Sequence, residues 1–80
     1  MAWRDTEVYL SVDYLDTGTA ELLELISMEL PFERARDGNV TAWVLRAEHA
    51  GVITSSDRAH ILGGLRAARE RRELARSAAV

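Results

Sequence analysis

The stretch Ala47-Glu48-His49-Ala50-Gly51-Val52-Ile53-Thr54-Ser55-Ser56-Asp57 reads as the end of one helix, a short apolar turn and the capped start of the next. Gly51 can adopt the left-handed conformation that closes a helix. Thr54 with Asp57 three residues later has the spacing at which a hydroxyl and a carboxylate satisfy the free amides of a helix start. Two helices joined by so short a turn are neighbours, most simply antiparallel. The decisive signal is therefore a helical hairpin, and the expected fold is mainly α: a small helical domain with a C-terminal antiparallel hairpin.

Upstream of that turn, Asn39 is placed to cap a helix over 40–50, with Val40, Trp43, Val44, Ala47 and Ala50 at helical spacing. Downstream, a helix over 55–76 carries Ala59, Ile61, Leu62, Leu65 and Ala68. Its end, Arg69-Glu70-Arg71-Arg72-Glu73-Leu74-Ala75-Arg76, has little to bury and is expected to be solvated and frayed. Gly63-Gly64 interrupts this helix, and two glycines there cost on the order of 1 kcal/mol each relative to alanine, which predicts a close helix crossing or a bend.

An earlier helix is expected from Ala20 to Leu30, capped within Thr17-Gly18-Thr19 and stopped by Pro31. Its apolar stripe is read as Leu22, Leu25, Ile26 and Leu30, broadened by Leu23 and Met28. Phe32 is expected in the core, and Asp37-Gly38 marks a turn. Before it, residues 7–15 fit either a strand or a short helix. Val8, Leu10, Val12 and Tyr14 alternate with Glu7, Tyr9, Ser11 and Asp13, and the β-branched and aromatic content favours a strand. A lone strand needs a partner for its backbone groups, so Val8, Leu10, Val12 and Tyr14 are the candidate partner-docking residues.

Eighty residues make a single domain over 1–80 with a small core, for which help from a partner chain is expected. No stretch approaches the roughly 20 apolar residues of a membrane span, and Met1 to Thr6 lacks the features of a secretion signal, so no membrane partner and a cytoplasmic location are expected. The chain has no cysteine, hence neither a disulfide nor a thiolate nucleophile. The net charge of −3 is unevenly divided: residues 1–40 sum to −6 and residues 41–80 to +3. That asymmetry suits self-association or intramolecular pairing.

Chemistry-bearing patterns are sparse. His49 and His60 lie on different predicted helices and, with Glu48 and Asp57, read as polar residues around the turn rather than as metal ligands or acid-base groups. Ser55 and Ser56 sit in a first helical turn, where hydroxyls cap, and no nucleophile elbow or phosphate-binding glycine loop occurs. No catalytic, cofactor-binding or metal residue is assigned, and the chain is read as non-enzymatic. A DNA-reading helix-turn-helix is disfavoured, because Asp57 occupies a place in the second helix where a packing residue is needed. The Arg-rich end of the last helix offers Arg66, Arg69, Arg71, Arg72 and Arg76 as candidate phosphate contacts for a nucleic-acid-binding regulator.

From Thr19 to about Ala68 the chain resembles the N-terminal helical segment of argininosuccinate lyases, in the fumarase and aspartase superfamily. The residues carrying the likeness are Pro31-Phe32-Glu33, the run from Leu45 to Thr54, Asp57, and Ile61-Leu62-Gly63-Gly64-Leu65. The resemblance implies the fold of the hairpin and no more. Trp3-Arg4-Asp5-Thr6 stands where those lyases have a glycine-rich substrate loop, and their acid, base and fumarate-binding motifs have no counterpart in this sequence. A detached piece of a split lyase is thus a third reading, behind a protein-interaction or self-associating domain and a nucleic-acid regulator.

Overall fold

Asp16 opens the first helix. In the computed structural model, which describes residues 12–78, its backbone is extended and one carboxylate oxygen accepts from the Thr19 amide at 3.0 Å. The other accepts from the Thr19 hydroxyl at 2.5 Å, so two donors of the first turn share one cap. Helix α1 consequently spans Thr17–Glu29, starting three residues before the expected Ala20 and with its cap at Asp16 rather than inside Thr17-Gly18-Thr19. Leu30 ends it, immediately before Pro31. Ahead of the cap, Val12–Tyr14 forms a single 3-10 turn, which corrects the expected strand over 7–15 at these residues; residues 7–11 lie outside the described residues. The physical reason is partly local and partly tertiary: the chain tightens into a turn before its cap, and the Tyr14 carbonyl is taken by Arg71 of the last helix rather than by a neighbouring strand.

Between α1 and the next long helix the chain runs through Pro31, Phe32 and Glu33 into a single helical turn, α2, Arg34–Asp37. Gly38 then takes φ +77°, and Asn39 caps α3, Val40–His49, by accepting from the Ala42 amide at 2.8 Å. This link is held from a distance. Trp43 donates its indole N–H to the Leu30 carbonyl at 2.8 Å, and Phe32 stands edge-on to its ring with centroids 5.7 Å apart. Arg46 grips Asp37 with two parallel bonds, Nε to Oδ1 at 2.7 Å and Nη2 to Oδ2 at 2.8 Å. The Asp37 side chain is only 2% exposed, and it also accepts from the Glu33 amide. The guanidinium beside it holds the Asp37 carboxyl below the usual aspartate range, with the Glu33 amide adding to the effect.

The hairpin turn closes by local means. Gly51 adopts φ +81°, its amide bonds the Glu48 carbonyl at 3.0 Å, and the Val52 amide bonds the Ala47 carbonyl at 3.0 Å. This is the paired closure expected of a left-handed helix end. Thr54 and Asp57 then cap each other: the Thr54 amide donates to Asp57 at 3.2 Å, and the Asp57 amide to the Thr54 hydroxyl at 3.0 Å. Ile53, buried between them, anchors the turn.

Helix α4, Ser55–Ala78, packs against both α1 and α3. The shared core is Leu23 and Ile26 from α1, Val40, Trp43, Val44 and Ala47 from α3, Ile61, Leu65 and Ala68 from α4, with Phe32 and Ile53 from the connections. Ala50 and Ala59, counted on apolar faces in the sequence, are exposed. Gly64 marks a close crossing: a Cβ there would lie 1.9 Å from Oγ1 of the buried Thr19. Gly63 faces open space. The helix runs on through both, and the close crossing accounts for Gly64, while nothing in the packing requires a glycine at 63. α4 extends to Ala78, two residues past the expected end, and its last turns are exposed except at Arg72, whose side chain, 19% exposed, lies over the Tyr14 region. The fold is mainly α, with no strand among the described residues, and no helix among them is long and apolar enough to cross a membrane.

Candidate interaction surface

An α-helix advances about 100° per residue, so residues two apart point to nearly opposite sides. In α1 the core takes Thr19, Leu23 and Ile26, spaced four and three residues apart. Leu25 and Met28 stand two positions beyond Leu23 and Ile26 and are therefore turned away, 44% and 81% exposed. The expected stripe merged two faces that the structure separates. On the outer face, Leu15, Ala20, Leu25 and Met28 form an open groove of about 550 Å³, rimmed by Glu21 and Glu24. Over Thr17–Glu29 the only charged residues are Glu21, Glu24 and Glu29, so the groove lies on a wholly acidic helix.

The same two-residue offset recurs on α4. Arg72 continues the inward series Ile61, Leu65 and Ala68, while Leu74 is turned outward and 70% exposed. Among the described residues the large apolar side chains on the surface are Leu25, Met28, Leu45 and Leu74. A lone exposed leucine needs no explanation, but the α1 pair sits in a continuous groove with Leu15 and Ala20.

The docking residues expected from sequence are not these. Val8 and Leu10 lie outside the described residues, and Val12 falls in the 3-10 turn. Tyr14 is half-buried and packs against the chain's own core. The five candidate arginines do not share one face. Arg66 and Arg69 border a cavity of about 220 Å³ with Thr41, Leu62 and Leu65. Arg71 donates to the Tyr14 carbonyl, and Arg72 and Arg76 flank Tyr14 and each approach Glu73 at 3.9 Å. Leu25 and Met28 were the residues missed, and their offset from Leu23 and Ile26 was the signal in the sequence that could have found them.

Several polar groups around the hairpin are engaged in structure. Arg58 pairs with Glu48 at 3.1 Å, and the Ser55 hydroxyl, with Arg58 second, holds the Glu48 carboxyl below its ordinary range. His60 Nε2 lies 3.5 Å from the Asp16 carboxylate, whose own pKa is lowered chiefly by its two bonds from Thr19. His49 is exposed at the end of α3. Among the described residues no group of three His, Cys, Asp or Glu side chains is arranged to hold a metal ion. Neither the protein-family models nor the curated proteins nor the solved structures give a match to this chain.

Proposed function

We propose that this chain is a small non-catalytic interaction domain that docks through the outer face of α1 on a protein surface. The observation carrying this reading is the groove of Leu15, Ala20, Leu25 and Met28, an apolar strip that the inward face of the same helix does not need. Burying Met28 would gain about 1.5–3 kcal/mol, and burying the remaining exposed surface of Leu25, 44% of it, roughly half as much. The acidic rim supplies orientation and a preference for a basic partner.

A photo-reactive amino acid at position 28, introduced into the full chain in the organism that encodes it, tests the reading directly. The expected outcome is a discrete protein adduct from position 28 and none from Ala35, which is exposed but lies outside the groove. Equal labelling at both positions, or none at either, overturns the proposal. An adduct with nucleic acid instead would favour the regulator reading built on the arginines of α4.

A further inference from the structure

Resting on that docking role, we infer that the occupant of the groove is a second copy of this chain, which presents the C-terminal half of its α4. Three features of the molecule converge on this partner. First, α1 carries only acids, Glu21, Glu24 and Glu29, so an α1 pairing with its own copy would set like charges against each other. Second, the C-terminal half of α4 is net basic, and of its five arginines Arg66 and Arg71 lie on the side of the helix that carries Leu74, a basic counterpart to the groove's rim. Third, Leu74 projects outward from that stretch. By helical spacing it is flanked by Arg66 and Arg71, with Glu70 the acid between them.

Within one chain these surfaces cannot meet. The two helices cross through their inner sides, Thr19 against Gly64, which leaves Leu25 and Met28 on one outer side and Leu74 on another. The complementarity is therefore available only between molecules. A two-fold axis satisfies it twice, each α1 groove receiving the other copy's Leu74 and each acidic rim its arginines.

The test is sedimentation equilibrium of the full chain across a concentration series at low and high salt, with helix content followed by circular dichroism. The wild type is expected to dimerise, and added salt to weaken the dimer. Leu25→Gln with Met28→Gln, and separately Leu74→Gln, should each raise the dimer dissociation constant by roughly ten- to a hundredfold while leaving helix content unchanged, since all three sites are exposed. The charge-reversed chains E21R/E24R and R66E, the latter leaving Arg71 on the Tyr14 carbonyl, should each self-associate more weakly, yet pair with one another when mixed. That mixing rescue does not depend on either variant's stability alone. A wild type that stays monomeric at about 1 mM, a dimer indifferent to the Leu25 and Met28 changes, or a mixture that does not pair overturns the inference. Its failure is separable from that of the docking role. A monomer whose position 28 still crosslinks to a different protein keeps the groove as a docking site and removes the second copy, whereas a monomer with no adduct removes both.

Discussion

The two connections of this bundle are built on opposite principles. The hairpin turn from Ala50 to Thr54 is closed by groups within a few residues of one another: Gly51 with its positive φ, the amides of Gly51 and Val52, and the reciprocal pair Thr54 and Asp57. The link from Leu30 to Asn39 is closed mainly from α3, by Trp43 reaching back to Leu30 and Arg46 to Asp37 and Pro31. A locally closed turn can form as soon as its own residues do. A remotely closed link forms only when the helix that holds it has docked, so its energetics belong to the tertiary fold.

Breaking that contrast should hurt most on the remote side. Asp37→Ala leaves Arg46 without its carboxylate and is expected to cost about 3 kcal/mol in chemical denaturation, the low end for a buried pair because Arg46 keeps 22% of its side-chain surface in water. Trp43→Phe removes the donor to the Leu30 carbonyl and shrinks the ring at a fully buried site, and about 2–3 kcal/mol should be lost on the same measurement.

The local side should respond less. Gly51→Ala forces a side chain into the left-handed region and should cost about 1 kcal/mol. Asp57→Ala removes half of a solvent-exposed capping pair, and a fall of about 0.5–1 kcal/mol is expected. If the two turn substitutions proved as damaging as the two link substitutions, the distinction between the connections would collapse.

Acid sharpens the same contrast. The folded-state pKa of Asp37 lies below the ordinary aspartate value of 3.8. The unfolded chain therefore takes up the proton first, and the stability this group contributes is complete above that value and lost as pH falls through the lower folded one. Asp37→Asn should accordingly flatten the acid limb of the stability curve below about pH 4, read as a smaller change in denaturation midpoint between neutral and acidic buffer than in the wild type.

What could be read from the sequence follows this division. The caps at Asn39, Gly51 and Thr54 rest on residues three to five positions apart, and the sequence displays them openly. Pro31 marked the end of α1 for the same reason. The Asp37–Arg46 pair spans nine residues and the Trp43–Leu30 bond thirteen, and no local pattern announces either. Asp16 was passed over as a cap because Thr17 and Thr19 are capping residues as well, and only the bonded geometry decides among them. The candidate site escaped for a different reason. Leu22, Leu23, Leu25, Ile26 and Met28 together cover most of the circumference of α1, so composition alone could not say which side faced the core.

That choice is made by the smallest contact in the molecule. Sliding α4 along α1 by three or four residues would bring His60, Ile61, Ala67 or Ala68 opposite Thr19, and each carries the Cβ for which Gly64 leaves no room. Rolling α1 by half a turn, to bury Leu25 and Met28 in place of Leu23 and Ile26, would pull Thr19 out of the same notch and leave Gly64 facing nothing that fills it. One missing side chain thus acts as a keyway. It admits a single register between two helices whose greasy surfaces would otherwise offer two, and so dictates which of them the protein keeps and which it shows.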